Sequence, residues 1–462
     1  MEEPVKIQKT IKWPQIVAAL SAAGGAFAVG AAIGWPAPAG PRLVGGEEDY
    51  FSIGQSAFDW TSSILNVGAA ISCLPIGYLM KKFGRKWAMI GLTLPFVVGW
   101  ALVIWAQNFA MLFIGRLLIG LAGGAFCVSS PQYSSETAEK EIRGIVGTFC
   151  VLLIHLGVLY AYVVGAFVSV FWLSIICALL PILFFATFIF MPESPVYLIT
   201  EKREDDAIKS YKWLRGSSYD PLHEITELKD ELEENEKNKV SYSEVFARKS
   251  TRRALVIGFG LLFFQQFSGI NAVIFNSTKI FAAANTDIDP DYQTIIIGSV
   301  LVGATFLGSV LVDKFGRKIL LVMSSVVMSI TLITFGLYFY LLDIESSAVD
   351  SLSWLPLTSL CLFLVFYSIG YGPLPWLILS EVYSKDCNTI ASPITGTFSW
   401  SLAFLITATF NSVSDGIGLG ATFWIFAGIS IIGILFSYFI VIETKAKTMA
   451  DIQRILNGEK VM

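Results

Sequence analysis
The chain runs to 462 residues, 55% hydrophobic and only 15% charged, with a mean hydropathy of +0.66 and a formal net charge of −4. Soluble domains carry about a quarter charged residues, so this composition excludes a water-soluble globule, and the negative balance excludes a nucleic-acid binder. Six cysteines lie in or beside apolar stretches with no CxxC spacing, which points to small buried hydrophobes rather than a metal or disulfide framework.

Apolar runs of about 18 or more residues mark membrane helices. Twelve are expected in chain order, near 14–36, 57–80, 87–106, 110–131, 144–167, 170–191, 253–282, 292–312, 319–342, 354–380, 390–412 and 419–442. The first is too long for a signal-peptide core and eleven more follow it, so it is read as a span. With the N-terminus placed inside, all but three of the 32 Lys and Arg residues, beginning with Lys6, Lys9 and Lys12, fall on inner segments; the exceptions are Arg42, Arg116 and Lys279. The positive-inside rule therefore puts both termini in the cytoplasm.

The plan is duplicated. "LMKKFGRK" (79–86) between spans two and three returns as "LVDKFGRK" (311–318) between spans eight and nine. Glu136 after span four is echoed by Glu381 after span ten, and "MPES" (191–194) by "VIET" (441–444). Residues 1–191 and 253–443 thus read as two six-helix bundles, with a short tail at 444–462. The segment 192–252 between them, with runs such as "EITELKDELEENEKNK", reads as short amphipathic cytoplasmic helices whose carboxylates are solvated rather than catalytic.

The chain resembles the sugar porter family of the major facilitator superfamily, essentially end to end. The motifs are "GRLLIGLAGG" (115–124), "SETAEKEIRG" (135–144), "PESPVYL" (192–198), "QQFSGINAV" (265–273), "VDKFGRK" (312–318), "GYGPLPWLILSEVY" (370–383) and "ETKAKT" (443–448). The "GWPAP" closing span one is similar to the insect branch that includes facilitated trehalose transporters. The resemblance implies an all-α protein of twelve membrane helices in two pseudo-symmetric bundles, each on one side of a central cavity.

A sugar is a ring of hydroxyls with an apolar face, so its site needs neutral groups that donate and accept, plus a flat aromatic. Gln265, Gln266 and Asn271 supply three amides within two turns of span seven, and Trp376 follows the helix-breaking "GYGPLP". The resemblance implies that these four contact the sugar, with Trp400 of span eleven beside them. Amides that merely bond across helices are the plain alternative. The chain departs from the family pattern at Val151, Leu301, Ser368, Ser399 and Ala403, where polar contacts are thinned, which puts glucose itself in question as the cargo. His155 lies one turn from Val151 on the same face, in a stripe with Thr148 and Tyr162, and is read as lining the cavity or bonding a neighbouring helix.

Proton-coupled sugar porters carry an Asp in span one; residues 14–41 contain no acid, and no Asp or Glu is expected mid-membrane. Facilitated diffusion is therefore expected, with no cofactor and no enzymatic step. Arg116 within span four must face protein. The resemblance also implies a cytoplasmic latch in which Arg85 meets Glu136 and Arg143, and Arg317 meets Glu381. Asp313 is near the family form, whereas Lys81 stands in the matching acidic position of the first copy, Asn388 stands for an Arg and Val196 for another. A weaker latch and a more populated inward-facing state follow. The expected partners are a small sugar and the bilayer, with a monomer sufficient and the plasma membrane as location. A polyol carrier, a proton-coupled symporter and a non-transporting sensor stay open as alternatives.

Overall fold
The computed structural model describes residues 10–46, 51–237 and 242–459; Lys6 and Lys9 lie outside them. Every regular element among the described residues is a helix. Eleven helical stretches are long and apolar enough to cross a bilayer, and the pair Gln55–Ser72 and Pro75–Phe83, bent by 53°, makes a twelfth. Helices are what lipid demands, because each backbone N–H and C=O must be bonded within its own segment.

In chain order the spans are Trp13–Gly45, the bent pair, Arg85–Ile104, Phe109–Thr137, Arg143–Phe167, Val170–Phe188, Lys249–Ala284, Pro290–Phe315, Arg317–Asp343, Asp350–Val382, Lys385–Ile417 and Leu419–Phe439. They form two six-helix bundles. Their outer faces are apolar and uncovered: Leu94 is 70% exposed and Phe439 75%, a surface that only lipid would cover.

Small residues set the packing inside each bundle. A Cβ on Gly30 of span one would lie 1.9 Å from the Ile154 carbonyl of span five, and one on Gly120 of span four 2.0 Å from the Leu65 carbonyl of span two. Dispersion grows with such close approach, which replaces a hydrophobic drive that lipid does not supply.

Besides the bent span two, spans one, seven and ten are broken. Span one divides at Trp35, where Pro36 has no N–H to offer the Ala32 carbonyl. Span seven divides between Gln266 and Ile270, through Gly269 at φ +89°. Span ten divides between Ile369 and Leu374, at "GYGP".

The start of the described chain at Thr10, the helix Met449–Asn457 and the helices Pro195–Thr200, Glu204–Arg215, Leu222–Lys237 and Tyr242–Ala247 share one face, called here the linker face. A hub at Glu139 ties them down. It accepts from Gln15 (3.0 Å), Thr10 (3.0 Å), Lys12 and buried Arg215 (3.1 Å), whose guanidinium also pairs with Glu224 (2.8 Å) and covers the Tyr211 ring. Burial works to raise the Glu139 pKa, but these donors outweigh it and hold the carboxyl below its usual range. The linker helix Leu222–Lys237 reaches both bundles, through Glu227 to Lys140 (3.2 Å) and Glu231 to Lys385 (2.7 Å); all four groups are exposed, so each pair contributes little.

Candidate functional site
The duplicated "FGRK" stretches build two matching caps. Gly84 (φ +89°) and Gly316 (φ +88°) are the N-caps of spans three and nine, in a backbone region L-residues rarely adopt. The glycine leaves room for a carboxylate against the helix N-terminus. Glu193 accepts from the amides of Arg85 and Lys86 (both 3.0 Å), and Glu443 from those of Arg317 and Lys318 (both 3.1 Å). An anion there bonds orphan N–H groups and faces the positive end of the helix dipole. The arginine side chains then turn back, Arg85 to Glu136 and Arg317 to Glu381, each at 2.9 Å. Ser194 and Thr444 donate to the same two glutamates.

Arg143 is not part of this cluster. Among the described residues it bonds only the Ala138 carbonyl (3.4 Å), while Glu136 accepts from Arg85, Gln132 and Ser194. Lys81 is exposed and makes no ion pair among the described residues, and Asn388 accepts from Ser392 within its own helix. The Asp313 side chain lies outside the described residues.

The two latches each close within one bundle. Among the described residues, hydrogen bonds and ion pairs that join the bundles directly lie elsewhere. Along spans two and eleven they are Thr397 to the Ala70 carbonyl (3.1 Å), Asn66 to Thr407 (3.0 Å) and Asn411 to Asp59 (2.7 Å). Tyr162 of span five donates to the Ile274 carbonyl of span seven (2.6 Å), and Arg42 pairs with Asp291 (3.3 Å). Among the described residues these bonds, with His155 to Thr305, join the bundles along their inner seams, while the linker helix Leu222–Lys237 bridges them at the linker face.

Where the breaks of spans seven and ten face each other, the three expected amides converge. Gln265 is 2% exposed and donates to the Tyr371 and Gly372 carbonyls (2.7 and 2.8 Å), groups in the broken stretch of span ten. Gln266 donates to Ser399 (2.8 Å), and Asn271 donates to the Gln266 oxygen. Ser399 thus serves as acceptor where the family pattern has an amide. The Gln265 side-chain oxygen and the Asn271 side-chain oxygen have no protein donor among the described residues and can accept from a hydroxyl.

Trp376 stands in the first turn after the span-ten break, 43% exposed, and Trp400 is half-buried beside Ser399. His155 is not joined to the amides: its Nδ1 lies 2.6 Å from the Thr305 hydroxyl of span eight, so it bridges the bundles on the other seam. Of the thinned positions, Leu301 is buried, Val151 is 37% exposed, and Ser368 holds a buried hydroxyl with no partner.

Arg116 has no exposure. One of its N–H groups donates to the Ala32 carbonyl (2.8 Å), the acceptor that Pro36 leaves without a backbone donor. Its guanidinium lies over the Trp35 ring at 5.2 Å, and the Trp35 N–H donates to Ser174 (2.9 Å). A carbonyl and an aromatic face stand where a counter-ion would otherwise be needed.

The profile of the family described as "Sugar (and other) transporter" matches residues 46–456. The facilitated trehalose transporter Tret1 of Anopheles gambiae is 35% identical over 447 residues, covering 96% of this chain and 56% of its own. The chain thus spans little more than half of that relative's length. The Tret1 proteins of Bombyx mori and Polypedilum vanderplanki are also 35% identical and are covered to 88% of their lengths by 98% and 96% of this chain. An inward-open structure of the xylose transporter XylE from E. coli superposes with a TM-score of 0.78 at 22% identity, over 96% of this chain and 98% of that one, which shows the fold.

Proposed function
Because this chain belongs to the family of sugar (and other) transporters, we propose that it carries a sugar, trehalose or a hexose, across the plasma membrane by alternating access and without proton coupling. The linker face is then cytoplasmic and the far face external, as the distribution of Lys and Arg requires. Residues 1–191 and 253–443 are the two moving bundles, 192–252 the strap between them and 444–462 the tail.

The observation that carries the reading is the amide triad Gln265, Gln266 and Asn271 at the facing breaks of spans seven and ten. Two amide oxygens there lack a protein donor, and an exposed indole, Trp376, stands one turn beyond the broken backbone. Sugar hydroxyls need such partners, since each buried without one costs about 1–3 kcal/mol. Trp400 and His155 are placed in the same role, Trp400 beside Ser399 and His155 at the Thr305 seam. Arg85 with Glu136 and Arg317 with Glu381 act on the cytoplasmic gate, Asp313 belongs to the second latch by its place in the motif, and Arg143 acts there only if it leaves the Ala138 carbonyl in another state of the cycle.

The absence of an acid from residues 14–41 supports uniport, as does the bonding of Arg116 to a backbone carbonyl rather than a carboxylate. A polyol is the second reading, favoured because Leu301 and Val151 offer hydrocarbon where the resemblance leads one to expect amides.

The test is uptake of radiolabelled trehalose, glucose, fructose and inositol into proteoliposomes, for the wild type and Gln266→Ala. Saturable uptake of one sugar that falls several-fold in the variant is expected. Uptake of inositol alone would establish the second reading. Correctly inserted protein that moves none of them would contradict both.

A further inference from the structure
The far-face seal contains a buried carboxylate that the transport reading does not use. Asp59, in the second turn of Gln55–Ser72, is 7% exposed. One of its oxygens accepts from Gln55 (2.7 Å) and from the amide nitrogen of Asn411 (2.7 Å), which belongs to the other bundle. Asn411, 2% exposed, turns its oxygen the opposite way, to the ammonium of Lys279 at 2.8 Å. Its nitrogen also reaches the Asn276 oxygen (3.2 Å).

One amide thus stands between an anion of the first bundle and a cation of the second, nitrogen toward the carboxylate and oxygen toward the ammonium. The reverse orientation would face donor to donor and acceptor to acceptor, so the amide is fixed by its two charges.

The placement of Lys279 adds a second, independent observation. Ile270–Ala284 is not one regular helix: Asn276 has φ −124° and ψ 16°, and its side chain covers the Ala272 carbonyl (3.1 Å). The kink divides the segment just before Lys279, so the ammonium rides on the outer piece, Ser277–Ala284. A short piece beyond a kink can turn without unfolding the rest of the span.

We propose that Asp59, Asn411 and Lys279 form a clasp that holds the far gate shut by pinning the outer piece of span seven to the opposite bundle. The inference rests on the alternating-access reading above. While the gate is closed the two charges offset each other through the Asn411 amide; when it opens they part and each is hydrated. Removing Lys279 leaves Asp59 buried without its counter-charge in the closed state only, and removing Asp59 leaves the half-buried ammonium without its own, so in either case the closed state loses population. Arg42 and Asp291 lie on the same face, but with side chains 20% and 27% exposed they are more hydrated than Asp59 and less dependent on the seal.

The experiment reads the gate without needing a substrate. A single cysteine replaces Ile274, buried in the seal, in a background where the six native cysteines are serine or alanine, and a membrane-impermeant maleimide labels it from outside. Asp59→Leu and Lys279→Met are each expected to raise the labelling rate at least about tenfold, since hydrogen bonds to charged groups are worth more than neutral ones. The exchange Asp59→Lys with Lys279→Asp should return the rate to within about threefold of the parent, which loss of packing alone would not do. Unchanged labelling in both single variants would overturn the clasp, as would an exchange variant no slower than either single one. If Asp59→Leu does not insert, Asn411→Ala provides the same reading from the other bundle. Failure of the transport reading shows separately, as a wild type that labels but moves no sugar.

Discussion

A methyl group at Gly84 tests the cap at the start of span three. The residue sits at φ +89°, and a Cβ there would lie 2.3 Å from Glu193 Oε2 and 2.9 Å from the Tyr197 ring. Gly84→Ala therefore forces Glu193 away from the amides of Arg85 and Lys86 and also places an L-residue in a left-handed region. The backbone term is about 1–2 kcal/mol and loss of the cap about 0.5–2, so about 1.5–4 kcal/mol of local stability should go. For a bundle of this size that corresponds to a fall in Tm of roughly 3–16 °C. Thermal denaturation in detergent, followed by fluorescence-detected gel filtration, reads it directly. Gly316→Ala should fall by somewhat less, because its Cβ would clear Glu443 Oε2 by 2.9 Å rather than 2.3 Å. Gly77→Ala is the control, with nothing within 4 Å of its Cβ, and should melt like the wild type. A Gly84→Ala protein that melts within about 1 °C of wild type would refute the capping argument, since the two terms together predict a fall of at least about 3 °C.

Further predictions concern pH, the latch and the seams. Glu193 and Glu443 occupy equivalent caps but titrate in opposite directions. Burial raises Glu193 against the amides of Lys86, Ser194 and Arg85, whereas at Glu443 burial is outweighed by the amides of Lys445, Arg317, Lys318 and Thr444. The Glu443 contribution is therefore present above the ordinary glutamate value and lost as pH falls through its depressed one. The Glu193 contribution is present at low pH and declines as pH rises through its raised value. Melting curves from about pH 4 to 7 should show Glu443→Gln losing stability at neutral pH and Glu193→Gln losing little or gaining; the same sign for both would refute the assignment. Lys81→Asp restores the acidic position of the first latch and should shift the carrier outward, read as slower alkylation of a cysteine at the inner gate; an unchanged rate counts against a weak latch. His155→Val removes the 2.6 Å contact with Thr305 and should weaken uptake several-fold, on the order of one hydrogen bond, while full uptake would remove His155 from the transport path.

How much of this was legible in the sequence depends on the range of the contacts involved. Lipid imposes long apolar runs, so the spans could be counted from composition, and the doubled "FGRK" stretch marked equivalent places in each half. The amides of span seven were legible because they lie within a few residues of one another. The bend of span two at Cys73–Leu74 was not, since the apolar run continues through it. The partner of Arg116 was there to be found: Pro36 deprives the carbonyl four residues earlier of its donor, and Ala32 is that residue. Ser399 was read as a lost amide, though a hydroxyl accepts as well as an amide oxygen does. The Glu139 hub, the His155–Thr305 bridge and the Asp59 clasp join residues 76 to 352 positions apart. They depend on how one bundle registers against another, which no local pattern records.

The central claim is uniport of a sugar. Its most direct test is the steady-state ratio of internal to external labelled trehalose, or of whichever sugar proves to be the cargo, in proteoliposomes held with an inward proton gradient and then without one. The account predicts the same ratio of one in both conditions, approached faster than in empty vesicles. Accumulation above equality that collapses with the gradient would contradict it, and would require a proton site that residues 14–41 do not supply.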